Sequence, residues 1–397
     1  MQGALQKKFA CHPKKGYFYL RMTSMRRRIF LKGLAAGAAG ALAAGRGESM
    51  LSHGSNDLQR SSQARNLHVK ALIIDGHNDS LIEHRARKES MDLTRDWPSY
   101  QVDLHRMKAG GLTAVNSMVG DIDLVQGLEL WSGMYENLEK HPGDFLLVKA
   151  PGDILRAKAE GKVGLIGQLE SCSLLHNSLQ VLHVMHKLGV RVAGLSHGEG
   201  CGENALQGAK SPFGYCTAAD RERERKETPG LTAFGRAVVP ELNRLGIVVD
   251  LAHANDAAFY EAIELSKRPV EFSHGAVFAM APHWRNLTDD QLKALAGNGG
   301  VIGIAPYPNF IDQDPKKQTL QRFVDHIEYV CELVGDDHVG FGADYDGMGP
   351  DTVAIIPSHA DIPQLTQAML DRGFSEKTIL KFWGGNFLRV MKEVQVG

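Results

Sequence analysis

From residue 70 onward the chain repeats one pattern. A short apolar run rich in β-branched residues meets a polar or glycine-rich break, and a longer stretch with apolar positions at helical period follows. The runs cover 71–75, 112–118, 163–169, 190–195, 247–251, 270–272, 301–305 and 339–342. Between them the period predicts helices over 178–188, 232–245, 255–267, 288–297 and 319–334. Most runs are apolar throughout, as strands covered on both faces must be. Eight β–α alternations predict an α/β fold, a closed (β/α)8 TIM-type barrel with its site at the carboxyl ends of the strands. An open doubly wound sheet is the second architecture the alternation allows. No GxGxxG or GxxxxGKS/T string follows a run, so nothing points to a dinucleotide or a P-loop nucleotide.

Composition changes the picture at one end only. The 397 residues are 43% hydrophobic and 23% charged, with a formal net charge of −1, the profile of a globular enzyme-sized chain. Of 45 Lys and Arg residues, nine lie before residue 46, where there is no Asp or Glu; 36 basic side chains then face 46 acidic ones. The body is acidic, which argues against a nucleic-acid partner. Residues 26–45, RRRIFLKGLAAGAAGALAAG, read as a basic segment, a weakly apolar stretch and small residues at Ala41, Ala43 and Ala44. The string Arg27-Arg28-Ile29-Phe30-Leu31-Lys32 resembles a twin-arginine export signal, which makes the twin-arginine export machinery a partner. Residues 1–45 are therefore expected to be a signal peptide with an upstream extension, 46–69 a linker, and 70–397 the catalytic domain. The mature protein is expected to be exported and soluble, in the periplasm or secreted. No apolar run reaches the roughly 20 residues of a spanning helix, and no membrane anchor is expected.

The candidate chemistry lies where the runs end. The first run leads into Asp75-Gly76-His77-Asn78-Asp79, the third into Glu170, the fourth into His197, the fifth into His253, the sixth into His274 and the eighth into Asp344. Six of eight strands thus place a His, Asp or Glu at the carboxyl end, and in a barrel those ends share one mouth. His77 and Asp79 are two apart and can point the same way on extended backbone. His253 and His274 come from adjacent strands, and Glu170 has two oxygens with which to bridge two ions. Imidazole and carboxylate donors favour zinc, with manganese, iron or cobalt also compatible. Two close ions would acidify a shared water and polarise a carbonyl, which points to hydrolysis of an amide, ester or phosphoester.

These residues fall in strings that resemble the membrane dipeptidase (renal dipeptidase) family of binuclear zinc peptidases, over about residues 70–393. The strings are IIDGHNDS (73–80), IGQLES (166–171), GLSHGEG (194–200), GLTAFGRAVVPELNRLGIVVDLAH (230–253), RPVEFSHGAV (268–277), PHWRNLTDDQL (282–292), GFGADYDG (340–347) and WGGNFLRV (383–390). The resemblance implies two zinc ions per chain and a small dipeptide substrate. His77 and Asp79 would hold one ion, His253 and His274 the other, and Glu170 would bridge them, with a metal-bridging hydroxide as the attacking group. It implies that His197 contacts substrate and stabilises the oxyanion, and that Arg285 grips the terminal carboxylate, a task suited to its planar fork. Asp344 would pass the proton from water to the leaving amine. A homodimer is also implied. The chain departs from the family at Gln168-Leu169-Glu170-Ser171, where Gly-Val-Glu-Gly is common, and at Ser273-His274-Gly275, where Ser-His-Ser is common. The stretch after His197 lacks the Asn-Thr-Pro-Trp string of animal members, so their substrate preference does not transfer.

Other features read more plainly. Tyr307, near the end of the seventh run, fits pocket lining or packing equally. The string 221–227 (RERERKE) reads as a solvated surface, and His105, His176, His183, His186, His283 and His326 as structural residues. Cys201 and Cys216 are placed to close a loop disulfide or to remain free thiols. The functional alternative is another metal-dependent amidohydrolase, acting on N-acyl amino acids or lactams that carry a free carboxylate. A binding protein without catalysis would lack a ligand or Asp344, and none is lacking.

Overall fold

The eight apolar runs form eight parallel strands of one sheet. The computed structural model describes residues 61–121, 123–197, 204–349 and 352–395; the export string, Cys201 and the stretch after His197 lie outside them. The strands are β1 (Ile74–Asn78), β2 (Ala114–Gly120), β3 (Phe145–Leu147), β4 (Val163–Leu169), β5 (Val190–Gly194), β6 (Val248–Asp250), β7 (Glu271–Gly275), β8 (Val301–Ile304) and β9 (Val339–Phe341). They pair in the order β1-β2-β4-β5-β6-β7-β8-β9. The ends of that path meet through the parallel bridge Asn78–Tyr345. Two bonds reinforce it, from Asp344 N–H to His77 O (3.0 Å) and from Asp79 N–H to Tyr345 O (2.9 Å). The barrel of the first expectation is therefore the observed architecture, and the open sheet is not.

Three details differ from expectation. β3 is an extra short strand that pairs with β4 off the barrel path, too brief for its sequence to separate it from a loop. β1 and β2 sit two to three residues further along the chain than their apolar runs, because polar residues within the barrel mouth are still strand. The stretch read as linker up to 69 is helical over 61–70, with Ala64, Leu67 and His68 buried. The predicted helices appear as Leu179–Leu188, Ala233–Leu245, Asp256–Leu265, Asp289–Gly297 and Leu320–Val334. Each starts behind a Ser, Thr or Asn whose side chain accepts an N–H of the first turn.

Two apolar clusters show which way each strand residue faces. Leu165 and Leu169 of β4, Val249 of β6, Ile302 and Ile304 of β8, and Val339 and Phe341 of β9 pack in the large outer cluster beneath the helices. Ile74, Ala114, Ile166, Val192, Val248 and Val301 pack instead with Phe387, Leu388, Val390, Met391 and Val394 of the last helix, Asn386–Gln395. That second cluster closes the amino end of the barrel. Phe387 enters between strands, and a Cβ on Gly340 would lie 2.6 Å from its ring, so β9 needs glycine there. With one end plugged by hydrocarbon, ligands reach the barrel axis from the carboxyl ends.

The charged string at 221–227 is only partly a solvated face. It belongs to the helix Ala218–Glu227, and Arg221 is buried. Its guanidinium pairs with Asp256 and donates to Trp284 O (3.1 Å), Asn286 O (2.8 Å) and Gln291 Oε1 (2.9 Å). Arg221 thereby anchors the loop that carries Arg285. Cys216 and Cys331 are free thiols. Among the described residues no helix is long and apolar enough to cross a membrane.

Candidate metal centre

Alternation along β4 sends Ile166, Gln168 and, one residue past the strand, Glu170 toward the axis, while Leu165 and Leu169 face the helices. The same rule would turn three of the histidines away from the axis. In β1, Ile74 and Gly76 face inward, so His77 should face out, but the register slips between Asp75 and Asn78. In β7, Glu271 faces inward and Phe272 outward, so His274 should follow Phe272, but the register slips between Phe272 and Gly275. Such irregularities re-aim a side chain. Beyond β6, His253 adopts φ +65° and Asp344 beyond β9 adopts φ +57°. Left-handed backbone at non-glycine residues costs of order 1–3 kcal/mol, and the fold bears it where the site is built.

The result is a cluster of buried donors. His77 Nε2 lies 3.3 Å from Asp79 Oδ2 and 3.6 Å from Glu170 Oε1. His253 Nε2 lies 3.3 Å from the same Glu170 oxygen and 3.0 Å from His274 Nε2. The rings of His77 and His274 stack with centroids 4.1 Å apart, and His274 Nε2 is 4.0 Å from Asp344 Oδ1. Among the described residues, three groups have donor atoms close enough to share an ion: His77, Asp79 and Glu170; Glu170, His197 and His253; and His77, His274 and Asp344. All five expected ligands, with His197 and Asp344, are thus brought together.

A metal fits this set. Among the described residues, His77 Nε2, Asp79 Oδ1 and Glu170 Oε2 are buried with no hydrogen-bond partner, an arrangement that is costly unless a further group satisfies them. Burial, together with Arg285 and the other imidazoles, holds His253 and His274 well below the usual histidine range, so both are neutral donors. Burial also opposes charge on His77, yet Asp79, Glu170 and Asp344 together raise it well above that range. Burial pushes the Glu170 carboxyl up, and the Asp79 charge adds to the shift. A ligating imidazole or carboxylate must give up its proton, so metal uptake is linked to proton release. Zinc titrated into metal-free protein near pH 7 should therefore release about one proton or more per chain, and affinity should climb as pH rises. Weakly buffered calorimetry or a pH electrode checks this; uptake without proton release would show that His77 and Glu170 are already deprotonated.

Around the donors, a row of polar residues holds them in place. His77 Nδ1 meets Gln168 Oε1 (2.7 Å), and Gln168 Nε2 donates to Asp250 Oδ2 (2.9 Å). The other Asp250 oxygen accepts the N–H groups of Ser273 (2.9 Å) and Ala252 (3.0 Å). Ser273 Oγ meets His274 Nδ1 (2.8 Å). Asp75 accepts the N–H of Ala343 and bonds His359, tying β1 to β9. Gly347 completes the enclosure: a Cβ there would overlap Asp79 Oδ2 and come within 2.8 Å of Asp344 Oδ1. Gly347→Ala should lower bound metal and activity together, read by metal analysis and kcat, while leaving the thermal midpoint of the metal-free protein nearly unchanged.

Three further expected residues surround the donors differently. His197 is a third exposed, at the rim, with Nδ1 3.2 Å from Asp121 Oδ1 and 3.3 Å from Glu170 Oε2. Burial opposes its charge, but Glu170 and Asp121 raise it to about 10, so it stands as a proton-bearing donor. Arg285 is buried between the rings of Phe272 and Phe310, and Nη2 donates to His274 O (3.3 Å). Burial lowers it to about 10, so it remains charged at neutral pH. Tyr307 touches Phe310, with ring centroids 4.7 Å apart, and its hydroxyl accepts from Asn309. The same phenyl ring lies against the Arg285 guanidinium, 5.7 Å from its centroid. Asp121 was missed by the sequence reading, which ended the second strand at Met118, three residues short of it. Gln168 and Asp250 were also missed, although alternation from Ile166 and Val248 places both inside.

The profile of the membrane dipeptidase family (peptidase family M19) matches residues 61–396. The chain belongs to that family of metal-dependent peptidases. It is 36% identical over 275 residues to the dipeptidase tcpJ of Claviceps purpurea, a match that covers 69% of this chain and 59% of that protein. Among solved structures, the dipeptidase AC of peptidase family M19 superposes with a TM-score of 0.74 at 25% identity, covering 82% of this chain and 99% of that one. A metallopeptidase from Rhodobacter sphaeroides, solved with a phosphinate mimic of the dipeptide L-Ala-D-Ala, shares the fold at 24% identity and a TM-score of 0.71, covering 82% and 99%.

Proposed function

We propose that the protein is a binuclear zinc dipeptidase whose substrates carry a free terminal carboxylate and include L-Xaa-D-Xaa dipeptides. The observation that carries this reading is the position of Glu170. One of its oxygens is within 3.6 Å of His77 and 3.3 Å of His253, so a single carboxylate serves both donor groups. His77 and Asp79 would hold one ion and His253 and His274 the other. Bound there, zinc supplies Lewis acidity toward the scissile carbonyl and lowers the pKa of water to near neutrality.

The chain's own residues do the rest. The Arg285 guanidinium keeps N–H groups beyond its one bond to His274 O, and these suit a carboxylate. His197, held by Asp121, donates to the oxygen that becomes negative as the carbonyl turns tetrahedral. Asp344, pushed upward by burial and by Asp79, accepts a proton from water and returns it to the departing amine. The twin-arginine string supports a site of action outside the cytoplasm, in the periplasm or beyond.

The test is zinc content together with hydrolysis of a panel that includes L-Ala-D-Ala, Gly-D-Ala and N-acetylalanine, with and without chelator. Two zinc ions and chelator-sensitive cleavage of the dipeptides are expected. Preferential cleavage of N-acetylalanine would favour the N-acyl amino acid alternative, which Arg285 would serve equally well. Arg285→Ala should reduce kcat/KM by about 10²–10³, mainly through KM, because about 3–4 kcal/mol of charge-assisted bonding to substrate is lost. A change confined to kcat would remove Arg285 from the carboxylate subsite.

A further inference from the structure

The opposite end of the barrel holds a second concentration of chemistry that the dipeptidase reading does not use. A cavity of about 480 Å³ opens there, lined by Lys149, His186, Arg191, Asn243, Arg244, Arg268, a few apolar or glycine positions and Gln395. Arg191 is the second residue of β5, Arg268 precedes β7 and Gly246 precedes β6, so the cavity lies at the amino ends of the strands, away from the donors. Five of its lining side chains are basic types, and none is a carboxylate.

Arg191 makes this a built site. It is only 9% exposed and makes no ion pair among the described residues, the Asp153 carboxylate near it being paired with Arg156. Nε donates to Lys149 O (2.7 Å), and Nη1 to His186 O (3.0 Å) and Val190 O (2.6 Å). These bonds hold the guanidinium rigid, while Nη2 has no partner among the described residues. Arg268 donates to Glu393 O (3.3 Å), and neither Arg268 nor Lys149 pairs with a carboxylate among the described residues. Arg244 alone is neutralised, by Glu241.

Helix carboxyl ends beside these cations offset part of their charge. The helices Leu179–Leu188, Ala233–Leu245 and Asn386–Gln395 all finish at this cavity. Each end carries about half a negative charge, so three amount to about −1.5. Lys149, Arg191 and Arg268 bring three positive charges with no ion pair among the described residues; the nearby Asp153 carboxylate, which acts on Arg191 and accepts the Lys149 backbone N–H (2.9 Å), is itself paired with Arg156 (3.0 Å). A surplus of positive charge therefore remains in a concave, partly desolvated space, where it favours an anion.

We propose that this cavity binds a phosphate dianion, free or as the phosphate group of a small phosphorylated molecule, through Arg191, Lys149 and Arg268. A guanidinium held rigid with Nη2 left over offers two N–H groups that suit phosphate oxygens, and a lysine adds a point charge beside it. The volume exceeds what a phosphate needs and leaves room for the body of an ester.

Calorimetric titration of the zinc-loaded protein with inorganic phosphate and with glycerol 3-phosphate, at constant ionic strength, tests this. Saturable binding of either one is expected, and tighter binding of the ester would identify the phosphorylated source. Lys149→Gln with Arg268→Gln should weaken it at least about tenfold while leaving dipeptide hydrolysis unchanged. Arg191→Lys, which keeps the charge but loses the rigidly held Nη2 donor, should weaken it as well. Phosphate bound at the zinc ions would survive the double substitution and compete with dipeptide. That result, or no saturable binding, overturns the proposal.

Discussion

Asp344→Asn should lower kcat by about 10²–10⁴ while zinc content and the thermal midpoint stay near those of the parent protein. The substitution is gentle to the fold. Asparagine tolerates the left-handed backbone that Asp344 adopts at φ +57°, and it keeps the side-chain shape. What it removes is the capacity to take a proton from water and return it to the amine. Asp344 sits 4.0 Å from His274 Nε2, close enough to the donors for that transfer and close enough to serve as a ligand instead. The two roles give different results. If zinc is lost along with activity, Asp344 is a ligand and the proton carrier must be sought elsewhere. Retained zinc with a collapsed kcat assigns it the proton. The basic form does the work, so the acid limb of the kcat–pH profile should flatten in the variant.

Glu170→Gln should have the larger effect. The amide keeps the volume but removes the charge that faces both His77 and His253. Zinc content should fall from the two per chain proposed above toward one or none. Activity should fall by at least about 10³-fold, since several kcal/mol of transition-state stabilisation leave with the ions. In the metal-free state the sign reverses. Burial already pushes the Glu170 carboxyl up, so a neutral amide relieves a desolvation penalty. The metal-free variant should unfold at the same temperature as the metal-free parent or a higher one. A fall in both metal-free stability and zinc binding would mean that Glu170 is primarily a structural partner of the histidines.

Asp121 sharpens the reading of His197. It is buried at the end of β2, and its oxygen lies 3.2 Å from His197 Nδ1. The pair is assembled from two strands and depends on the barrel having closed.

The barrel was legible in the chain because parallel strands buried on both faces must be apolar throughout, and the eight runs recur between helices of ordinary length. β4 matched its run residue for residue. Glu170 was legible for the same reason, since plain alternation from Ile166 through Gln168 delivers it to the axis. The leading residues of the site were legible as a set because strand ends in a barrel share one mouth, whatever each residue does alone.

What the sequence by itself determined, then, was the period of the chain and the chemistry at the strand ends. Tertiary structure decided the direction in which that chemistry points. His77 and His274 face the axis only because the register of β1 and β7 slips against their neighbours, and His253 only because its backbone turns left-handed. Period-two alternation predicts the opposite for all three. The bond between Asp75 and His359 spans 284 residues, and the buried Arg221–Asp256 pair sits within a string whose composition reads as solvent-facing. A strand slip, a left-handed residue or a buried ion pair is favourable only in the company of the neighbours that satisfy it. Those neighbours are distant in the chain and meet only when the barrel closes.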